Sequence, residues 1–512
     1  MHLDPQAAVF EAISSVIAGL SSPRRVIVTS GANGGRVVII RTAKDRRSAV
    51  TERVVVRFEG EGSGVAELSW GQHEIWAAIQ DKGNSLPFCR VRALPPGQTV
   101  ADVAAGLRFI MSRHQSLRTR LRLDHDGQTR QVVHASGEIM LDVVDAGDAD
   151  PGETAAAVAA RYKTRIFDYE HEWPLRMAVI TYRGTATHVA EVICHLALDA
   201  FGLAALHDDF DRHDERTGPV TAMQPLEQAR RQNSPGAHRA HEASMRYFER
   251  LVARAPDRLF RESADPRKPR FWEVTCESPA GYRAARMLAT RLGLSTSPVL
   301  LAAFAVALTP LTSLASGQPV VVQLVVSNRF RPGFAGSVSP VAQSMPCMIE
   351  APGAPFEEVA LRTWQSALLA YKHAYYDPAG KQEVSKRIAA ERGSEADLGV
   401  VFNDRRVRSR EVADSITGDA AGRLAPIRDE LTRTRLSWGE PLDIPEQKVF
   451  LSIVDMADTL CCELRADTHF VSPADMVGLL RRIESVLVNA ALREGNGGEG
   501  GTTAAATPGV VR

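Results

Sequence analysis

His195 and Asp199 have the residue types and the spacing of a proton-transfer site. They lie in the segment EVICHLALDAFG, Glu191–Gly202, at the end of an apolar stretch that predicts a β-strand. A histidine that titrates near neutrality can take a proton from an amine or hydroxyl group as that group attacks a carbonyl carbon. Asp199 would then hold the turn in shape, preferably paired with an arginine, because an unpaired carboxylate near a core is unfavourable. On its own, this spacing more often marks a polar pair that only stabilises a loop.

Cys194 suggests a second chemistry, a Cys/His nucleophilic pair. Neighbouring residues that leave a strand point to opposite faces, so the Cys194 side chain is expected to point away from His195. A small buried hydrophobic residue is therefore the favoured interpretation of this cysteine.

Other catalytic motifs are missing from the sequence. It contains no GxxxxGK[ST] phosphate loop, no GxGxxG after a strand and no GxSxG elbow. His73-Glu74 and His241-Glu242 lack the second histidine of a zinc metalloprotease helix. The six cysteines are scattered without zinc-ligand spacing, which argues against a metal site or a disulfide framework and is typical of a reducing cytoplasm.

The composition of the chain indicates which kinds of partner it is expected to bind. The chain has 512 residues, 44% of them hydrophobic, with 61 Lys and Arg against 61 Asp and Glu. A neutral balance predicts no affinity for nucleic acid or for an anionic membrane surface. The N-terminus lacks the positive charge of a signal peptide, and the longest apolar run, Val299–Leu308, is too short to span a bilayer. We therefore expect a cytoplasmic protein that recognises its partner locally.

The order of apolar patterns predicts a mixed α/β fold with two lobes. Residues 1–60 are expected to form an N-terminal extension, with a helix over residues 9–20 and a hairpin at Asn33-Gly34, or else to be sequence upstream of the true start. The N-lobe would cover residues 61–255 and carry His195. The C-lobe would cover residues 256–492, and the Gly/Thr/Ala-rich tail, residues 493–512, is expected to be disordered.

Local patterns position the candidate residues. Two strands joined at Arg183-Gly184 lead directly to His195. In the second half we predict a buried helix at 297–309, the strand PVVVQLVVSN, an amphipathic helix that contains Trp364, and the strand DLGVVFND. A hairpin and a last helix, N-capped by Ser472, complete the pattern.

Several blocks, in order, resemble those of nonribosomal peptide synthetase condensation domains. The segment around His195 resembles the HHxxxDG signature of that family, and RHQSLRTRL, at 113–121, is a near match to RHExLRTxF. The other similar blocks are LSWGQHEIW at 68–76, FDYEHEWPLRMAVI at 167–180, NRFRPGFAGSVSPVAQSMP at 328–346, and the closing hairpin and helix. The resemblance covers about residues 68–492.

The resemblance implies two chloramphenicol-acetyltransferase-like lobes in a V shape, with a tunnel that admits two pantetheine-borne substrates. By position, His195 is the catalytic residue, Asp199 gives structural support, and Arg329 is the suspected partner of Asp199. Cys194 stands where the family has its first histidine, and Ala200 stands where it has glycine. Gln343 replaces the asparagine of the FVNT block.

These observations predict a free-standing condensation-type acyltransferase. It would join a thioester-bound acyl or aminoacyl group on a carrier protein to a small-molecule amine or alcohol, with no bound cofactor beyond the phosphopantetheine arm of the substrate. Adenylation and carrier motifs are not visible, so both substrates are expected to come from other chains. The alternatives are a coenzyme A-dependent acyltransferase and a degenerate domain that recruits a tailoring enzyme. Arg405, Arg406 and Arg408 could contact an acidic carrier helix, although such a run more often forms a solvated loop.

Overall fold

The computed structural model describes residues 25–30, 36–41, 50–124, 127–215, 218–315, 317–350, 353–406, 427, 429–443 and 447–493. The predicted helix over residues 9–20, the predicted turn at Asn33-Gly34 and the tail beyond residue 493 lie outside these ranges. The helices are α1 (Trp70–Lys82), α2 (Val100–Arg113), α3 (Pro151–Lys163), α4 (Ala200–Asp211), α5 (Pro225–Gln232), α6 (Pro235–Val252), α7 (Pro279–Leu292), α8 (Thr296–Leu308), α9 (Phe356–His373), α10 (Pro378–Arg392) and α11 (Pro473–Leu492).

The described strands form two main sheets, one two-stranded sheet and one three-stranded sheet. They are β1 (Arg25–Ser30), β2 (Arg36–Arg41), β3 (Glu52–Glu59), β4 (Gly64–Glu67), β5 (Phe88–Ala93), β6 (Thr119–Leu123), β7 (Thr129–Val133), β8 (Ser136–Asp145), β9 (Leu175–Tyr182), β10 (Thr185–Ile193), β11 (Phe271–Ser278), β12 (Val320–Val326), β13 (Gln343–Ile349), β14 (Val400–Asp404), β15 (Arg435–Trp438), β16 (Val449–Val454) and β17 (Leu460–Asp467).

The chain divides into two compact units, each assembled from several segments. The first comprises residues 1–65, 85–197 and 206–220, and the second comprises residues 66–84, 198–205 and 221–512. Three stretches that the sequence assigned to the N-lobe, residues 66–84, 198–205 and 221–255, therefore group with the second unit. The boundary between Ala197 and Leu198 falls between His195 and Asp199.

The first unit contains a five-stranded sheet in the order β3-β8-β9-β10-β5. Its pairings are antiparallel except for β8 with β9. The edge strand β3 comes from residues that the sequence assigned to the N-terminal extension. Strands β9 and β10 are joined by the predicted two-residue turn, in which Arg183 and Gly184 have φ values of 51° and 78°. Two consecutive positive φ values match the twist of a tight hairpin, and the prediction of this turn is confirmed.

The second unit contains a seven-stranded sheet in the order β13-β12-β14-β16-β17-β11-β15. Strand β14 runs parallel to both of its neighbours, and the other pairings of this sheet are antiparallel. Helix α8 has ten buried residues among its thirteen, as expected of a helix that is apolar all round. The predicted helices and strands of this half are confirmed, including the N-cap of α11, where the Ser472 side chain accepts the backbone N–H of Asp475.

Among the described residues, no single helix combines the length and hydropathy needed to cross a membrane. The helices Pro279–Leu292 and Thr296–Leu311 meet that criterion only as a joined pair, which is bent by 113°.

Candidate active site

His195 lies in a turn at the end of strand β10, in the first unit. The strand ends at Ile193, whose neighbours are Leu175 in β9 and Phe88 in β5. The turn is closed by the backbone N–H of Ala197, which donates to the carbonyl oxygen of Cys194 at 3.0 Å. His195 is half-buried, and its imidazole packs against the Phe88 ring with 4.8 Å between centroids and 53° between planes. Because β10 is paired on both sides, with β9 and β5, the strand gives this histidine a fixed backbone.

Cys194 is fully buried beside the half-buried His195. Its backbone N–H donates to the carbonyl oxygen of Pro174 at 2.9 Å, and its Sγ lies 3.6 Å from the carbonyl oxygen of Ser85. Burial raises the pKa of the Cys194 thiol to about 12. The thiolate is the nucleophilic form, so this cysteine is inert near neutral pH, and its side chain anchors the turn.

Asp199 lies in the second unit and caps helix α4. Its Oδ1 accepts the backbone N–H of Gly202 at 2.8 Å, and its Oδ2 accepts those of Val341 and Ala342 at 3.0 and 2.9 Å. Arg329 adds a bidentate pair, with Nη2 at 2.7 Å from Oδ1 and Nη1 at 2.9 Å from Oδ2. The carboxylate therefore accepts five hydrogen bonds from charged or dipolar donors.

Arg329 is buried together with Asp199; their side chains are 4% and 5% exposed. Its terminal nitrogens also donate to the carbonyl oxygens of Ser327 and Ser337, each at 3.0 Å. A buried ion pair is favourable only when both charges are also satisfied by hydrogen bonds. Asp199 and Arg329, which the sequence suggested as partners, are thus in direct contact, and the surrounding backbone groups supply further hydrogen bonds to both.

The three departures from the family motif each have a local explanation. Ala200 begins α4 without a positive φ angle, so alanine is accommodated there. The backbone instead comes close to a neighbouring side chain at Gly202, where a Cβ atom would lie 3.3 Å from Arg329 Nη2. The amide of Gln343 donates to the carbonyl oxygen of Tyr376 at 3.0 Å and accepts the backbone N–H of Tyr376 at 3.1 Å, so this glutamine ties β13 to the segment before α10.

Two of the other matching blocks have structural roles. In RHQSLRT, Arg113 Nε and His114 Nε2 both contact Asp209 Oδ2, at 3.0 and 2.9 Å, and the fully buried Arg118 donates to backbone carbonyl oxygens. In LSWGQHEIW, Ser69 and Gln72 form a reciprocal capping box at the start of α1. The S-x-x-Q spacing could have revealed this cap from the sequence alone.

The basic run after β14 is engaged in ion pairs where the structure describes it. Arg406 binds Asp404 through Nε and Nη2 at 2.8 and 2.6 Å, and Arg405 binds Glu463. Arg408 lies outside the described residues. Arg405 and Arg406 therefore have carboxylate partners within their own unit, and the suggestion that they contact a carrier protein has no structural support.

Comparison with known proteins identifies the family. The sequence profile of the Condensation domain matches residues 94–394, more than half of the chain. The AMB antimetabolite synthetase AmbB of Pseudomonas aeruginosa is 26% identical over 261 residues, which are 48% of this chain and 20% of that protein. The cyclosporin synthetase of Tolypocladium inflatum is 27% identical over 172 residues, 33% of this chain and 1% of that one. The chain thus spans a fifth or less of the length of these relatives.

Solved structures show the same fold. The condensation domain for chain release from the enacyloxin polyketide synthase is 21% identical, with a TM-score of 0.60, over 88% of this chain and 86% of that one. The SgcC5 protein from Streptomyces globisporus is 19% identical, with a TM-score of 0.60, over 83% and 99% of the two chains. The X-domain from teicoplanin biosynthesis is 17% identical, with a TM-score of 0.60, over 84% and 96%. The chloramphenicol-acetyltransferase-like fold implied by the sequence is confirmed, and the chain belongs to the condensation-domain family of nonribosomal peptide synthesis.

Proposed function

We propose that this chain is a condensation-type acyltransferase that forms an amide or an ester. Its donor is an acyl or aminoacyl thioester on the phosphopantetheine arm of a carrier protein, and its acceptor is a small-molecule amine or alcohol. Membership of the family supports acyl transfer in general. The identity of the reaction, and the use of partners on other chains, are part of this proposal.

His195 is the residue to which we assign the proton transfer. The nitrogen or oxygen of the acceptor attacks the thioester carbonyl carbon, the imidazole takes the proton that the nucleophile loses, and the C–S bond breaks. The proton then passes to the leaving thiolate, which restores the neutral imidazole and releases the pantetheine thiol. General base catalysis of this kind contributes on the order of 10²–10⁴ in rate.

The observation that carries the proposal is the fully satisfied Asp199 carboxylate. Because it accepts two guanidinium and three backbone N–H groups, the residue four positions after His195 is fixed in place. Before His195, the strand and the two backbone hydrogen bonds of Cys194 fix the other end of the turn. Within its own unit, the backbone that carries His195 is thus held by strand pairing and hydrogen bonds, as a preorganised base requires.

The test is a donor and acceptor panel. Acetyl, aminoacyl and long-chain acyl thioesters of pantetheine and of a holo carrier domain are combined with amino acids, simple amines and alcohols, and the products are identified by mass spectrometry. We expect at least one amide or ester whose formation requires the protein. Product formation that is unchanged by His195→Ala would remove the catalytic assignment.

A recruiting role is the second candidate, because Cys194 replaces one of the two histidines of the family motif. One of the solved structures is a complex of a teicoplanin X-domain with OxyB, at 17% identity and a TM-score of 0.59. A recruiting domain would form no product with any donor, and His195→Ala would leave its binding to a partner unchanged.

A further inference from the structure

The segment immediately before strand β5 contains a strained residue. We call Ser85–Phe88 the Leu86 turn. Leu86 has a φ angle of 45°, in the left-handed half of the backbone map, where its Cβ atom crowds the following carbonyl oxygen. A bulky residue adopts this conformation only where the surrounding structure requires it, and such strain clusters at functional sites.

Hydrogen bonds of Ser85 hold the strained turn. Ser85 is buried, its Oγ lies 2.7 Å from the Tyr169 hydroxyl, and the same Oγ accepts the backbone N–H of Phe167 at 3.0 Å. Its carbonyl oxygen accepts the Cys194 thiol at 3.6 Å. The turn is therefore attached both to the segment before β9 and to the residue before His195.

The other end of the turn contacts His195 itself. Phe88 is the first residue of β5 and lies directly opposite Ile193 in the register with β10. Its ring packs on the His195 imidazole at 4.8 Å between centroids. Rotation of an imidazole about χ2 has only broad minima, so a ring packed against one face restricts an orientation that the backbone leaves open.

We infer that the Leu86 turn is a positioning element for His195, in which Ser85 holds the backbone and Phe88 sets the plane of the imidazole. The inference deepens the proposed function, since it assigns to Phe88 and Leu86 the orientation of the proposed base. Neither residue touches the reacting atoms in this role. Cys194 takes part through the contact of its thiol with the carbonyl oxygen of Ser85. The cysteine that replaces the first histidine of the family motif therefore supports the Leu86 turn.

Nuclear magnetic resonance of selectively labelled histidine tests the inference without any substrate. In protein with ¹³C-labelled imidazole Cε1, the Cε1–H signal of His195, assigned by its loss in His195→Ala, is expected to shift in Phe88→Leu, which removes the ring current. Phe88→Tyr keeps an aromatic ring and should retain the wild-type shift. The exposed His171 serves as an internal control and should not move. A His195 signal that is unchanged in Phe88→Leu overturns the inference.

A matched pair of glycine variants separates positioning from stability. Leu86→Gly and Asp458→Gly both relieve a positive φ angle, and Asp458, at 50°, lies in the hairpin between β16 and β17. Both variants should keep or raise the melting temperature, but only Leu86→Gly should broaden the His195 signal. With an active donor and acceptor pair, Leu86→Gly should lower kcat about tenfold with little change in KM, since a displaced catalytic group loses transition-state stabilisation.

The outcomes remain distinct from those of the proposed function. If His195→Ala keeps the activity while Phe88→Leu shifts the histidine signal, the catalytic assignment fails and the positioning contact stands. If Leu86→Gly leaves the His195 signal sharp and unshifted, the turn does not position the imidazole, whatever the activity shows.

Discussion

Arg329 binds both oxygens of the Asp199 carboxylate, at 2.7 and 2.9 Å. Three backbone N–H groups occupy the remaining acceptor positions, so Oδ1 accepts two hydrogen bonds and Oδ2 accepts three. A carboxylate surrounded in this way has its acceptor positions filled by donors of the protein. Asp199 therefore joins the start of α4, the loop after β12 and the segment before β13, which is a structural role.

Removal of either partner of this pair should destabilise the protein. Arg329→Ala leaves a buried carboxylate without its counter-charge, and Asp199→Ala leaves a buried guanidinium, so each should lower the free energy of unfolding by roughly 3–5 kcal/mol. The double variant should lose much less than the sum of the two, because neither charge is then left alone. Urea unfolding of the four proteins measures the coupling.

Arg329→Lys provides a sharper comparison for the same pair. Lysine keeps the charge but not the planar fork, so it should recover only part of the stability that Arg329→Ala loses. If the effects of the two alanine variants simply add, Asp199 and Arg329 do not stabilise one another.

His195→Ala should separate activity from folding. The side chain is half-buried, so its removal should change the unfolding midpoint little, whereas the rate should fall by on the order of 10²–10⁴. His188→Ala, in strand β10, which leads to His195, and also half-buried, is a matched control that should keep its activity. A His195→Ala protein with most of the wild-type rate would contradict the assignment.

Cys194 should behave as a protonated, inaccessible thiol. Burial raises its pKa to about 12, so the thiolate is scarce throughout pH 6–9. Iodoacetamide at pH 8 should therefore label the exposed Cys89 in the native protein and leave Cys194 unlabelled. Peptide mass spectrometry gives the result. Cys194→Ser, which keeps a donor for the carbonyl oxygen of Ser85, should keep most of the activity, and a loss as large as that of His195→Ala would instead favour a Cys/His nucleophilic pair.

The sequence could predict the side chains of the site better than its backbone. Asp199 and Arg329 could be suggested as partners because each lies in a sequence block that resembles a motif of the family. The strand before His195 could be predicted from a run of apolar residues. The N–H groups of Val341 and Ala342 could not be predicted, since every residue except proline offers one. The positive φ angle of Leu86 could not be predicted from the sequence either, because a leucine gives no sign of a strained backbone.

Long-range ion pairs are a second feature that the sequence conceals. The run from Asp404 to Arg410 is rich in arginine and looks like a docking surface, but sequence distance conceals Glu463, which lies two strands away in the sheet and binds Arg405. Conversely, Arg113 and His114 are adjacent in the sequence and share Asp209, nearly one hundred residues later. Partners brought together by folding decide whether a charge is available at the surface.

His114 should make the stability depend on acid. Burial lowers its pKa, outweighing the opposite effect of Asp209. The unfolded chain binds a proton on this histidine as the pH falls through about 6.5, and the folded protein does so only at lower pH. This group should therefore lower the free energy of unfolding as the pH falls from 7.5 to 5.5, through the pKa of the unfolded chain.

His114→Gln tests that dependence. The glutamine amide can still donate to Asp209, and the variant keeps Arg113, whose charge and hydrogen bond help to lower the pKa of Asp209 against the effect of burial. The variant should show a smaller loss of stability on acidification in urea titrations at the two pH values. Equal pH dependence in the two proteins would mean that His114 titrates normally in the fold.

The proposed function also predicts which form of acyl donor the protein prefers. If the substrate arrives on a carrier protein, docking of the carrier raises the local concentration of a pantetheine arm that binds weakly by itself. The acyl-S-carrier donor should then exceed the same acyl group on coenzyme A by at least about tenfold in kcat/KM, a difference of ~1.4 kcal/mol. The comparison uses one acceptor and quantified product.

An Arg406 variant tests whether such docking uses the basic run after β14. Arg406 is committed to Asp404, with its side chain 11% exposed, so Arg406→Ala should lower the free energy of unfolding and leave the ratio between the two donors unchanged. A carrier contact through this residue would instead lower kcat/KM for the carrier-bound donor alone, and added salt would weaken it further. Equal rates with the two donors in the wild-type protein would assign the function to a coenzyme A-dependent acyltransferase. A preference for the carrier that survives Arg406→Ala would place the docking surface elsewhere on the chain.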